Sequence, residues 1–221
     1  MKSSYTILIA IVMGGIIVAV AVYVSMPKSP TNTGGNPLLV RPVGISDHIL
    51  GNPAAPVKIV EYSDFDCEYC KGFHETLHQI IANAGADGNV AWTYREFPLT
   101  EIHPNAFSHA RAAECVAVVA GNDAFWTFSN ALFQNQPVDP SHYGTLASSV
   151  GISTDAFATC YATASTTLDA RISADRQNAL DMGAQGTPYS LILVADKPPI
   201  VMVGAYSYDA VKQLVDEALA E

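Results

Sequence analysis

The chain has 221 residues, which is enough for one domain with an insertion or for two small domains. Its formal charge of −10 argues against a nucleic-acid-binding protein, because neutralising phosphates requires clustered cations. With 49% hydrophobic and 14% charged residues the chain is not intrinsically disordered, and its four cysteines are too few for a disulfide-dense miniprotein.

The N-terminus contains an uncharged apolar run at residues 5–24. As a helix, this run would span about 30 Å, the thickness of the bilayer core. A cleaved secretory signal is the alternative, but its apolar region is usually shorter and ends at a small-residue cleavage site, which is poorly matched here. We therefore predict a cytoplasmic stub at 1–4, a transmembrane signal anchor at 5–24 and a domain outside the cytoplasm.

A segment rich in Pro, Gly, Ser, Thr and Asn follows at residues 25–46 and predicts a flexible tether. The domain is expected at 47–221. Three of the eleven cations precede residue 47, so eight cations and 21 acids leave the domain with a formal charge of −13. This charge favours solubility and repulsion from anionic lipid.

The domain begins with a strand–helix–strand pattern. A β-branched run at 57–63 predicts a buried strand, and alternation at 90–97 predicts a second one. Between them, apolar residues at helical spacing from Phe73 to Ile81 predict a helix that ends near Gly85. A strand, helix and strand in about forty residues form a βαβ unit with parallel strands.

An alanine-rich helical block then extends from about 104 to 184. Its helices are predicted at 104–120, 123–134, 141–149, 154–162 and 165–183. Strands at 189–195 and 200–203 and a C-terminal helix follow. This order predicts one α/β domain with an inserted all-helical lobe rather than two independent domains.

The motif Cys67-Glu-Tyr-Cys70 lies where the first strand gives way to the first helix. A cysteine in the first helical turn faces unpaired N–H groups and the positive end of the helix dipole, which favours the thiolate. The spacing places Cys70 one turn later, within reach of a disulfide. We expect Cys67 to be the exposed attacking sulfur and Cys70 the buried resolving one.

A CxxC motif is also half of a zinc site, and His74 and His78 continue its spacing along the same helix. Four ligands from one straight helix cannot converge tetrahedrally on one ion, so we expect no metal site. Thiol–disulfide exchange by the CxxC pair needs no separable cofactor, so we expect none. The two histidines are expected on a surface stripe or beside a substrate groove.

Four segments together resemble the DsbA-type thiol–disulfide oxidoreductases of the thioredoxin-fold superfamily, in particular their membrane-tethered, four-cysteine members. These segments lie at 57–70, 125–126, 131–133 and 186–188. The resemblance covers about residues 55–220. It implies a thioredoxin fold and exchange of the CxxC disulfide with thiols of exported client proteins, as a disulfide-forming oxidase. It also implies a membrane redox partner that regenerates the active site.

The same resemblance implies further site residues. Thr187 and Pro188 match the loop that holds a cis-proline beside the CxxC motif and pairs with an extended client peptide. Glu61 matches a buried acid that relays the proton of Cys70. A surface carboxylate at the strand end is the simpler alternative for Glu61.

Glu68 and Tyr69 replace the Pro-His pair of strongly oxidising members and are expected to contact the client. Together with Asp64 and Asp66, Glu68 adds negative charge near Cys67, which disfavours its thiolate. This predicts a milder oxidant, and a reductase or isomerase is the alternative within enzymes. A non-catalytic binding module or metal carrier is the alternative outside them.

Cys115 and Cys160 both lie in the predicted helical lobe. In an oxidising compartment, a pair of cysteines outside the CxxC motif favours a structural disulfide, and some relatives have one in this lobe. Two buried free thiols and a second redox relay are the alternatives.

Overall fold

The structure is a computed structural model that describes residues 34–163 and 165–220. The predicted cytoplasmic stub, the anchor at 5–24 and the first part of the tether lie outside the described residues. Within the described ranges, none of the helices has the length and apolar character needed to cross a membrane.

The described part of the chain forms a five-stranded sheet in the order β1-β3-β2-β4-β5. Its strands are β1 (His48–Gly51), β2 (Val57–Ser63), β3 (Val90–Glu96), β4 (Tyr189–Val194) and β5 (Ile200–Val203). β2 and β3 are parallel, which confirms the predicted βαβ unit, and the other pairs are antiparallel.

The helices begin and end close to their predicted limits. They are α1 (Glu68–Asn83), α2 (Ala106–Ala120), α3 (Asn122–Gln134), α4 (Tyr143–Ser149), α5 (Thr154–Thr163), α6 (Ser165–Asp181) and α7 (Tyr208–Ala220). Gly121 separates α2 from α3 at a φ of 85°, a left-handed conformation that favours glycine. The thioredoxin-type α/β arrangement with an inserted helical lobe is therefore confirmed.

Two apolar clusters hold the sheet between helices. The larger one joins one face of the sheet to α1, α7 and the lobe, and it includes Trp92 and Tyr94 of β3. The lobe aromatics Phe125, Trp126 and Phe133 are buried in the same cluster, as expected for a lobe core. A smaller cluster packs the opposite face against the end of α6.

The first strand, β1, was not predicted. Its four residues are too few to show a periodic pattern, and the strand is defined by pairing with β3 over the register from His48 with Tyr94 to Gly51 with Ala91. The side chain of Asn122 also exchanges two hydrogen bonds with the backbone of Ile49, at 2.8 and 3.0 Å.

The segment predicted as a tether over 25–46 makes fixed contacts from Asn36 onward. The N–H of Asn36 donates to the carbonyl of Asp181 at 3.1 Å. The amide of Asn178 donates to the carbonyl of Leu39 at 2.7 Å and accepts from the N–H of Arg41 at 3.1 Å. Local composition does not reveal this docking, because its partners on α6 lie more than 130 residues away in the sequence.

A disulfide joins Cys115 of α2 to Cys160 of α5, with the Cα atoms 5.7 Å apart. This is the pairing that the sequence favoured, and both cysteines are buried in the lobe core. The bridge closes a loop that runs from α2 through α3 and α4 to α5, so it constrains the lobe in the unfolded chain as well as in the folded one.

Replacing both lobe cysteines, as Cys115→Ala/Cys160→Ala, is expected to lower the free energy of unfolding by about 2–4 kcal/mol, because the unfolded chain regains loop entropy. Chemical denaturation of the variant and the wild type, both with the CxxC pair reduced, measures the difference. Equal free energies of unfolding would show that the bridge does not stabilise the lobe.

Candidate active site

The two cysteines of the motif lie at the N-terminus of α1. Cys67 is the N-cap residue, and its carbonyl accepts the N–H of Lys71 at 3.2 Å. Cys67 is 5% exposed and Cys70 is fully buried, and both are free thiols. Cys67 is thus the more accessible of the two cysteines, as predicted, but the expectation that it is exposed is wrong, because the residue is buried.

The pKa of the Cys67 thiol is lowered from 9.0 to about 6. The largest cause is a hydrogen bond from the thiol of Cys70, which outweighs the opposing effect of burial. Interactions with Thr187 and with the backbone N–H groups of Cys70 and Tyr69 lower it further. At neutral pH Cys67 is therefore mostly thiolate, the nucleophilic form.

Cys70 has the opposite character. Burial raises the pKa of its thiol well above 9, and its hydrogen bond to Cys67 and the charges of Cys67 and Glu61 act in the same direction. The pair therefore has one sulfur that carries negative charge readily and one that keeps its proton.

Glu61 lies on β2 beneath the two cysteines and is fully buried. Burial raises the pKa of its carboxyl from 4.5 to about 8, although the indole N–H of Trp92 donates to its Oε2 at 3.0 Å. A carboxyl with this pKa exchanges protons near neutral pH. The alternative of a surface carboxylate is therefore wrong for Glu61.

The loop before β4 lies against Cys67. The peptide bond between Thr187 and Pro188 is cis, and the Sγ of Cys67 lies 3.5 Å from the carbonyl oxygen of Thr187. The carbonyl of Pro188 accepts the N–H of Gly204, which ties this loop to the end of β5. The structure thus brings together the four residues 67, 70, 187 and 188 that the sequence predicted to form the site.

Comparison with known proteins gives the family. Residues 44–217 match a family model described as thioredoxin. The chain belongs to the thioredoxin family. This match, together with the solved structures described next, confirms the predicted thioredoxin fold.

The structure of alpha-DsbA1 from Wolbachia pipientis has the same thioredoxin fold, with a TM-score of 0.70 and 22% identity over 83% of this chain and 95% of that one. Disulfide bond formation protein D of Bacillus subtilis is 24% identical over 87% of this chain and 86% of that protein.

A Na⁺/H⁺ antiporter, NhaA 1 of Mycolicibacterium gilvum, is 32% identical over 152 residues. These residues make up 68% of this chain but 24% of that protein, so the chain spans about a quarter of its length.

Glu68 and Tyr69, between the two cysteines of the thioredoxin motif, project into solvent. Tyr69 is 71% exposed, the largest exposure of an aromatic ring among the described residues. Their contact with a client remains a prediction, and their exposure next to Cys67 is the placement that such contact requires.

Asp64 and Asp66, which the sequence placed near Cys67, each face a histidine. The Oδ2 of Asp64 faces Nδ1 of His103 at 2.8 Å, and the Oδ1 of Asp66 faces Nε2 of His109 at 2.8 Å. Neither acid is among the causes that shift the pKa of Cys67. Each acid is thus hydrogen-bonded to a histidine of the following segment, and its effect on the Cys67 thiolate stays a prediction.

His74 does not lie on a surface stripe. It is buried among Trp92, Trp126 and Phe133, and burial lowers its pKa to about 3. His78 is half-buried beside it, with the two Nε2 atoms 3.1 Å apart. Among the described residues, no three His, Cys, Asp or Glu side chains are placed to hold a metal ion.

Two contacts of the site have no signal in the sequence. One is the indole of Trp92 on Glu61, which depends on strand register. The other is the side-chain amide of Gln136, at the end of the lobe helix α3, which donates to the carbonyls of Phe65 and Cys67. Gln136 lies about 70 residues from its partners, so only the folded chain shows the link.

A titration of the reduced protein by thiolate absorbance near 240 nm is expected to show a midpoint at about pH 6. Cys67→Ser should abolish this transition. The pKa of the Cys67 thiol in the folded protein lies below its unfolded value of 9.0. The Cys67 thiolate should therefore stabilise the reduced protein fully above pH 9, and this stabilisation should be lost as the pH falls to 6. A midpoint near pH 9 would contradict the geometry.

Glu61→Gln removes the buried proton donor with little change in shape. It is expected to slow exchange at Cys70 by about 10²- to 10⁴-fold, because the sulfur must gain or lose a proton in a buried site. Rapid acid quench and mass spectrometry of the mixed disulfide measure the rate. Glu75→Gln, on the exposed face of the same helix, is the matched control and should leave the rate unchanged.

Proposed function

We propose that this protein is a thiol–disulfide oxidoreductase that introduces disulfides into client proteins. The observation that carries the proposal is the contrast between the two sulfurs: Cys67 has a pKa of about 6, whereas Cys70 is buried with a raised pKa. A stabilised Cys67 thiolate favours the dithiol form of the pair, and a pair that favours its dithiol form is an oxidant towards other thiols.

The reaction proceeds by two exchanges. A client thiolate attacks Sγ of Cys67 in the oxidised pair, and the sulfur of Cys70 leaves and takes a proton from Glu61. A second client thiolate then attacks the client sulfur of the mixed disulfide, which forms the client disulfide and releases Cys67 as a thiolate. Two electrons pass from the client to the pair in each cycle.

The client is held as an extended peptide in this proposal. Thr187 lies directly beside Cys67 and offers its backbone N–H and C=O to a strand-like segment, and the cis bond to Pro188 sets the direction of these groups. Glu68 and Tyr69 form the exposed side of the same site. No separable cofactor is required, because the cysteine pair itself carries the electrons.

We further propose that the domain works outside the cytoplasm and is anchored through residues 5–24. The lobe disulfide supports this location, because structural disulfides persist mainly in oxidising compartments. The uncharged apolar run at 5–24 supports the anchor. The clients are then exported proteins with cysteine thiols, and a membrane redox partner accepts the two electrons and restores the disulfide.

Refolding of a reduced, disulfide-containing client with the oxidised protein tests the activity. Stoichiometric wild-type protein should restore client activity at least tenfold faster than buffer, and Cys67→Ser should give the rate in buffer, because the attacked sulfur is absent. Equal rates with wild type and variant would favour a binding module. Repair of a scrambled but not of a reduced client would assign the isomerase alternative.

A further inference from the structure

The helix that carries the cysteine pair also carries two histidines one turn apart. His74 and His78 lie on α1, and the segment from the first to the second has the pattern H-E-x-x-H, with Glu75 after the first histidine. On a helix this spacing places both rings on one face, which is the arrangement in which two imidazoles bind one zinc ion. Because so short a pattern is a weak signal, the positions of the ring atoms decide whether a site exists.

Three donor atoms meet at this point of the fold. The Nε2 atoms of His74 and His78 are 3.1 Å apart, and Oδ1 of Asn130, on α3, lies 2.6 Å from the first and 2.7 Å from the second. Neighbouring ligands of one zinc ion, each about 2.0–2.1 Å from the metal, are about 2.9–3.4 Å apart. Small side-chain shifts therefore suffice to turn this triangle of atoms into three ligands of one ion.

Aromatic side chains hold both rings in place. The ring centroid of Trp92 lies 5.0 Å from that of His74 and 5.2 Å from that of His78, and Phe133 packs against His74 at 4.5 Å. The donors are thus oriented before a metal binds, which reduces the entropy lost on binding. Burial lowers the pKa of both histidines, so both rings are neutral at pH 7, the form in which imidazole binds metals.

The three donors line an open cavity of about 440 Å³ between α1 and α3. Lys71 and Glu75 line the same cavity with opposite charges. The cavity leaves space for a water molecule as the fourth ligand, which is the arrangement of zinc sites with three protein ligands. The set contains no cysteine and takes its third ligand from the lobe, so it is not the four-ligand set on one helix that cannot converge.

We propose that His74, His78 and Asn130 form a binding site for a divalent transition-metal ion. Two imidazole nitrogens and one amide oxygen suit zinc, whereas calcium and magnesium bind sites made of oxygen atoms. The bound ion joins α1 to α3 of the lobe and stabilises the folded chain by mass action. The site uses neither cysteine of the CxxC pair, so this inference stands or falls separately from the proposed function.

Calorimetric titration of the full chain in detergent with zinc chloride tests the site. The background Cys67→Ser/Cys70→Ser removes the thiols that also bind zinc, and the lobe cysteines are already joined in a disulfide. We expect one zinc ion per chain, and His78→Ala should weaken binding at least about tenfold, because one of three protein ligands is lost. His142→Ala, at an exposed histidine of the lobe, is the matched control and should bind zinc as the background does.

Asn130→Asp distinguishes a metal ligand from a side chain that only supports the rings. The substitution replaces a neutral ligand oxygen by a charged one of the same shape, so zinc should bind at least about tenfold more tightly at pH 8. Weaker binding by Asn130→Asp, or equal binding by His78→Ala and the background, would overturn the proposal.

A measurement on the unaltered sequence keeps the proposal testable if a variant does not fold. In the wild-type chain with the CxxC pair oxidised, nitrogen-15 NMR should show that one equivalent of zinc shifts the Nε2 resonances of His74 and His78. The resonances of the other histidines should stay unchanged. Zinc binding that leaves these two rings unaffected, or no zinc binding at all, would contradict the proposed site.

Discussion

One hydrogen bond, from the thiol of Cys70 to the sulfur of Cys67, is the largest cause of the low pKa of Cys67, on which the proposed chemistry depends. It lies at the N-terminus of α1, where unpaired N–H groups add to its effect. Because Cys67 accepts hydrogen bonds while Cys70 is fully buried, negative charge is stable on one sulfur and unfavourable on the other. The sheet places Glu61 where its charge raises the pKa of Cys70, and an interaction with the side chain of Thr187 lowers the pKa of Cys67.

The helical lobe is part of the site as well as an insertion into the fold. Gln136 at the end of α3 binds the backbone carbonyl of Cys67, and His109 of α2 faces the acid beside it. The disulfide between Cys115 and Cys160 joins α2 to α5 and so constrains the helix that carries His109. The disulfide that stabilises the lobe therefore also constrains residues that surround the reactive sulfur.

Much of this architecture could be predicted from the sequence, because the CxxC motif, the strand at 57–63 and the helical periodicities are local signals. The resemblance added Glu61 and Pro188, and both lie where it implied. What could not be predicted depends on contacts between distant segments. The acid at 66 was expected to act as a free charge, since nothing in the sequence indicates that His109, 43 residues later, faces it.

The reduction potential of the Cys67–Cys70 pair tests the central claim most directly, because the preference for the dithiol form fixes the direction of electron flow. Potentials in this superfamily extend from about −270 mV for thioredoxin to about −120 mV for DsbA. A thiolate with a pKa of about 6 predicts a value between these limits, more oxidising than thioredoxin. A potential at or below about −270 mV would contradict an oxidase and indicate a reductase.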